Sequence, residues 1–330
     1  MTLTLKTWTE AAEVSEFAIE TVGLTRHFGD VLAVENLSLH VPRSSVYGFL
    51  GPNGAGKTTT IRMLLGLTRP DRGGIRFFDQ SITPANRRAI LGRIGAMVET
   101  PSLYAHLTGY ENLQITQGLL GLHRSKIERA LLIVRLEQDA HRLVSAYSHG
   151  MRQRLGLALA LLAEPELLIL DEPINGLDPA GIQEMRELIL GFPSEHGITV
   201  FLSSHLLAEI EQLASGIGII GRGQLLFEGT LEALQRYRRA RVVVRVDRPA
   251  LACDVLREGG WTAVPTDASG LTVYVSEAAD IAHAATALVS AGLQLYQLQT
   301  VRPSLEDLFL ELTRDVHLGA GSGQGSGVSR

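Results

Sequence analysis

The sequence predicts an α/β fold with a mostly parallel sheet, followed by a small α+β domain of ferredoxin-like pattern. Three observations carry this reading. Four short apolar runs, Val46 to Leu50, Leu167 to Leu170, Thr199 to Leu202 and Ile217 to Ile220, lack polar alternation, as strands covered on both faces do. Leu206, Ile210 and Leu213 recur at helical spacing after the third run, and strands separated by helices pair in parallel. After Tyr237 the pattern changes to alternating strands and amphipathic helices.

In that second region Val242, Val244 and Val246 mark a strand, and Pro249 to Glu258 reads as a helix. Leu271, Val273 and Val275 alternate against Thr272, Tyr274 and Ser276. A second helix fits Ala278 to Ala291 and a last strand Leu293 to Val301. The order is that of a split βαβ unit. Ser304-Leu305-Glu306-Asp307 opens a final helix as a variant of the capping box. The expected organisation is an N-terminal extension at 1–16, a main domain at 17–237 and an accessory domain at 238–317. A Gly/Ser-rich tail at 318–330 is expected to be disordered.

Composition narrows the function classes. The 330 residues correspond to about two domains, and 45% hydrophobic residues suffice for a sizeable core. A net charge of −5 is the wrong sign for a chain held mainly by nucleic-acid backbone. One cysteine, Cys253, excludes an internal disulfide and a Cys-based metal cluster, and reads as a small buried apolar residue on a helix. The longest apolar run, Leu155 to Ala163, is about half of what a bilayer span needs. The N-terminus has no apolar stretch with a small-residue cleavage site, so no secretory signal is expected.

The chemistry concentrates at strand ends. Gly51-Pro52-Asn53-Gly54-Ala55-Gly56-Lys57-Thr58 follows a buried strand and precedes a helical pattern beginning at Thr59, the context a phosphate-binding P-loop requires. Its glycines let backbone N–H groups curl around phosphate oxygens, and the helix N-terminus adds partial positive charge. Lys57 would reach the terminal phosphates, and the Thr58 hydroxyl would ligate Mg²⁺. Asp171-Glu172 ends the next apolar run, at the sheet edge where α/β folds bind ligands. Asp171 would hold Mg²⁺ through water, and Glu172 would orient or deprotonate the attacking water. Acidic loops after strands are common, and only the upstream P-loop gives this pair meaning. His205 ends the following run and could donate a hydrogen bond to the terminal phosphate.

In this order the motifs resemble the ABC transporter ATPases over about residues 17–230. Tyr147-Ser148-His149-Gly150-Met151-Arg152-Gln153-Arg154 is similar to the family's signature loop, and Asn175-Gly176-Leu177-Asp178-Pro179 to its D-loop. His205 matches the switch histidine and Phe28 the aromatic that stacks on adenine. The resemblance implies a P-loop NTPase cassette with an antiparallel β subdomain and a helical subdomain, and binding of ATP with Mg²⁺. It also implies a homodimer on ATP binding, in which Ser148 and Gly150 cap the phosphate held by the opposite copy. A plain helix N-cap is the alternative for Ser148, and both roles can coexist. No transmembrane segment is evident in the sequence. The implied partner is therefore a membrane permease, with the chain peripheral on the cytoplasmic face of the cell membrane.

Some positions depart from the family pattern. Glu99 stands where a glutamine is usual; with the Pro-Ser-Leu-Tyr that follows, it is similar to ATPases of bacitracin-type and lantibiotic-immunity exporters. A carboxylate there could join Thr58 and Asp171 around the metal, or could be a substitution without mechanistic effect. His149 and Met151 replace two signature residues, while the serine and glycine with phosphate roles remain. The end of the chain resembles the appended domain of drug- and antibiotic-export cassettes. The leading expectation is the energising subunit of an exporter of antibiotic, antimicrobial peptide or lipid-like compounds. A cassette acting on nucleic acid or ribosomes would usually carry two cassettes, a coiled coil or zinc cysteines. An inactive regulator would not keep Lys57, Asp171, Glu172 and His205.

Overall fold

A computed structural model of the chain describes residues 16–99, 101–236, 241–266, 270–274, 278–301 and 305–318. Residues 1–15 of the expected extension, Val275 and Ser276, the helix-opening Ser304 and residues 319–330 of the expected tail lie outside the described residues. The chain divides into two compact units, Met1–Leu231 with Leu312–Arg330, and Glu232–Glu311. The sequence pattern places this division between 237 and 238.

In the first unit a six-stranded sheet runs in the order Gln224–Thr230, Gly216–Gly221, Val46–Leu50, Thr199–Ser204, Leu167–Asp171, Ile94–Met97. Every neighbouring pair is parallel except the first, an antiparallel hairpin at the edge. The strands Val46–Leu50, Leu167–Asp171 and Thr199–Ser204 are buried along their whole length, which is why they show no polar alternation. Their register brings Leu50 opposite Ser204 and Asp171 opposite Ser203. The residues that leave these three strands therefore meet at one edge of the sheet.

A second, antiparallel sheet places Phe17–Phe28 between Val31–Leu37 and Arg72–Phe77, with His40–Pro42 and Gln80–Ser81 added at its margins. Tyr47, Phe49, Phe77 and Phe201 share a fully buried core with Ile19, Leu24 and Leu37 of this sheet. A helical layer consists of Gly109–Leu120, Ser125–Ile133 and His149–Leu161. Its first helix opens with a capping box: Thr108 accepts from the Glu111 N–H, and Glu111 accepts from the Thr108 N–H. The Glu111 carboxyl is held below the usual carboxylate range, chiefly by that backbone N–H.

The second unit is a four-stranded antiparallel sheet, ordered Thr262–Pro265, Gly270–Tyr274, Arg241–Val246, Leu295–Val301. Two helices, Pro249–Glu258 and Ala278–Ser290, connect it in the ferredoxin-like manner. Val242, Val244, Val246, Leu271, Val273 and Cys253 form its core. Cys253 is buried on the first of those helices and its thiol is pushed up by burial.

Candidate active site

The strand Val46–Leu50 runs into the loop of residues 51–56 and then the helix Lys57–Leu64. Gly56 caps that helix in the left-handed region, at φ 107°. A Cβ there would lie 2.6 Å from the Ala33 carbonyl oxygen, so both the backbone angle and the neighbouring strand demand glycine. The turn delivers Lys57 at the first helical position.

Lys57 is 6% exposed, and an ammonium buried so far must be paired. Its Nζ donates to the Gly51 carbonyl at 2.7 Å and lies 3.2 Å from Glu172 Oε1. The other carboxylate oxygen, Oε2, is 2.8 Å from His205 Nδ1. A carboxylate only accepts, so this nitrogen carries the proton and donates it. Glu172 thus links the residues that leave three adjacent strands: Lys57, itself and His205. Its own backbone sits at φ 50°, a conformation uncommon outside glycine, and its N–H donates to Ser203 Oγ at 3.0 Å.

Ser203 also donates to Asp171 Oδ1 at 2.5 Å, and Thr58 Oγ1 donates to Asp171 Oδ2 at 3.0 Å. Asp171 is nearly buried, and both its oxygens are oriented by hydroxyls. Thr58 and Asp171 present only oxygen, the donor type a hard divalent cation takes. Among the described residues no cluster of three or more His, Cys, Asp or Glu could hold a metal by itself. A Mg²⁺ that keeps waters and binds substrate phosphates fits such a two-oxygen set.

Lys57, Thr58, Glu172 and His205 open onto a cleft of about 720 Å³, lined also by Asn53, Gly54, Gly56 and Thr59. Gly51, Pro52 and Ala55 shape the loop beneath: Gly51 and Pro52 through their carbonyls toward Lys57, Ala55 through a turn back to Pro52. The structure also brings in residues that sequence reasoning missed, namely Val31, Leu32, Ala33, Asn175 and Arg222. Asn175 was legible only as part of a loop motif. The strand and the hairpin that carry the others are remote in sequence, and no local signal marks them.

Phe28 does not line the cleft. It is 47% exposed, stands opposite Val31 in the register of its hairpin, and has the Arg26 guanidinium 4.8 Å from its ring centroid. Directly opposite residues of an antiparallel pair are neighbours, so Phe28 sits beside the cleft-lining Val31. Glu99 is also outside the lining; it is exposed, at φ 60°, and its carboxylate pairs with Arg62. The structure therefore does not bring Glu99 to Thr58 and Asp171. Ser148 caps the helix His149–Leu161, its Oγ accepting from the Met151 N–H at 3.1 Å. Ser148 and Gly150 do not line this chain's own cleft. His149 Nε2 lies 3.4 Å from the Asn175 carbonyl.

A glycine loop after a buried parallel strand, a lysine at the start of the helix that follows and carboxylates at the end of the next strand but one define a P-loop nucleotide-hydrolysing domain. The model of the ABC transporter family matches residues 34–175. A bacitracin transport ATP-binding protein, BcrA of Enterococcus faecalis, is 39% identical over 91% of this chain and 97% of its own length. The BcrA protein of Bacillus licheniformis is 50% identical over 67% of this chain and 72% of its own. A solved ATP-binding subunit of an ABC transporter superposes with TM-score 0.59 at 30% identity, over 66% of this chain and 92% of that one. The chain belongs to the ABC transporter family, as an ATP-hydrolysing cassette subunit. Among the described residues no helix is long and apolar enough to cross a membrane.

Proposed function

We propose that this cassette powers a separate membrane permease that exports an antibiotic, an antimicrobial peptide or a lipid-like compound. Two copies would close on Mg-ATP at the cytoplasmic face of the membrane. The observation that carries the catalytic half is the convergence of Lys57, Glu172 and His205 on one cleft, with Asp171 and Thr58 beside them. The similarity to bacitracin transport proteins supports the export half.

In this reading the loop N–H groups and Lys57 take the β- and γ-phosphates of ATP. Glu172 accepts the proton of the attacking water, and His205 holds the Glu172 carboxylate and reaches the γ-phosphate. Ser203 fixes both acidic residues, through the Glu172 N–H and the Asp171 carboxylate. Thr58 and Asp171 are the residues that would hold Mg²⁺, whose chemistry is to neutralise charge on the phosphates. Glu99, paired with Arg62, becomes a metal-side residue only if that pair opens. Phe28 stacks on adenine from the rim. Ser148 and Gly150 present a helix N-terminus to the nucleotide of the other copy. The second unit is an accessory domain, with no catalytic cluster among its described residues.

The test is co-purification from membranes with an integral membrane permease, followed by ATPase and export assays in vesicles. Export that needs ATP and this subunit supports the reading. A cassette that hydrolyses ATP but neither binds nor energises the permease overturns the export half.

A further inference from the structure

We propose that Arg222 positions the base and ribose of the nucleotide, a role that rests on the nucleotide-binding reading of the cleft. Arg222 and Gly223 form the two-residue turn between the strands Gly216–Gly221 and Gln224–Thr230, with Gly221 paired to Gln224. Both have positive φ, 48° and 79°, the geometry of a type I′ hairpin turn. A non-glycine residue in that region is uncommon.

The turn is fixed from two sides. The Gly223 N–H donates to the Ala55 carbonyl of the phosphate loop at 2.8 Å, and the Gly223 carbonyl accepts from the Glu35 N–H at 2.8 Å. A Cβ at Gly223 would lie 2.8 Å from the Ala33 carbonyl oxygen. Position 222 is thereby held between the phosphate loop and the strand Val31–Leu37, and its exposed side chain lines the cleft with Val31, Leu32 and Ala33.

The terminal phosphates belong with Lys57 and Thr58, where the cations and hydroxyls are. Elsewhere the cleft offers the ribose and base the apolar Val31, Leu32 and Ala33 and the planar guanidinium of Arg222. A guanidinium stacks flat on an aromatic face, where an ammonium acts only as a point charge, and a purine is such a face. Arg222 thus meets the base from a hairpin separate from the one that carries Phe28.

The experiment measures binding of ADP and of inorganic tripolyphosphate to the full chain and to Arg222→Asn and Arg222→Lys. Asparagine tolerates the left-handed backbone, so folding is retained, and thermal unfolding of the nucleotide-free protein checks this. The expected result is an ADP affinity about five- to tenfold weaker in Arg222→Asn, with tripolyphosphate affinity unchanged. Arg222→Lys, which keeps charge but not the plane, recovers less than half of that loss. Unchanged ADP affinity overturns the proposal, and so does an equal fall for tripolyphosphate, which would make Arg222 a phosphate residue. If the unaltered chain binds neither probe, the nucleotide reading of the cleft fails instead.

Discussion

Replacing Glu172 by glutamine keeps the shape of the side chain and removes its charge and basicity. In the structure that carboxylate lies 3.2 Å from Lys57 Nζ and 2.8 Å from His205 Nδ1. Removal of a general base costs about 10²–10⁴ in rate, or roughly 3–5 kcal/mol at 1.36 kcal/mol per decade. The same change leaves the nearly buried Lys57 with its Gly51 carbonyl but no anionic partner. The nucleotide-free protein should lose about 1–3 kcal/mol of stability in consequence. ATP phosphates restore an anion to Lys57, so binding should hold or tighten while turnover collapses. The assay is phosphate release at saturating Mg-ATP, with binding followed by fluorescence and stability by thermal unfolding with and without nucleotide. Turnover within a few-fold of the unaltered protein would remove Glu172 from its assigned role. A parallel loss of ATP binding would show that the carboxylate supports the fold of the site rather than the chemistry.

Ser148→Ala removes a helix cap and should cost about 1 kcal/mol of stability, together with much of the ATPase activity. Ser148→Asp preserves the cap but opposes a phosphate, so stability should return while ATPase activity does not; recovery of both would reduce Ser148 to a cap. Glu99→Gln releases Arg62 from an exposed pair, so thermal stability should move by less than about 1 kcal/mol. Transport should suffer more than ATP binding, and no change in transport or hydrolysis would make Glu99 incidental. Arg93 donates twice to Glu166, at 2.6 Å each, and those bonds hold the Glu166 carboxyl below the usual carboxylate range. A carboxyl lower in the folded than in the unfolded chain contributes stability above about pH 4.3, and that stability is lost as pH falls through the folded value. Glu166→Gln should therefore flatten the acid side of the Tm-against-pH curve; an unaltered slope would exclude this pair as a source of acid sensitivity.

The legible parts of the site are those whose chemistry is written in consecutive residues. The phosphate loop shows itself because strand, glycines, lysine and helix are contiguous. Asp171, Glu172 and His205 show themselves because buried strands end in polar residues at the sheet edge. Helical spacing includes Leu206 in the stripe, yet it is exposed at the N-cap, and the buried positions are Leu207, Ile210 and Leu213. Periodicity alone does not fix the first turn of a helix. Ser203 carried a faint signal, a hydroxyl closing an apolar strand, but its two bonds to the acidic pair depend on strand register.

Other contacts required the tertiary fold. Val31, Ala33 and Arg222 join the cleft through hairpins far apart in sequence. The nearly buried Glu228 accepts from the His40 N–H at 2.6 Å and from the Tyr47 hydroxyl at 3.0 Å. Burial, with Glu228 adding to it, pushes that hydroxyl well above the ordinary tyrosine value. Tyr47 sits in a run that reads simply as apolar strand, and nothing local announces a partner in the edge hairpin. Much of the second unit was legible, because the strand Arg241–Val246 alternates and the helices are bounded by Pro249 and Gly292, whereas the short strand Thr262–Pro265 carries no such pattern.

Sedimentation velocity of the Glu172→Gln protein, with and without Mg-ATP, tests the central claim most directly. Slow hydrolysis keeps the nucleotide intact, so a cassette that closes on ATP should move from monomer to dimer when Mg-ATP is added and return when it is withdrawn. A chain that saturates with Mg-ATP and sediments as a monomer throughout would contradict the account.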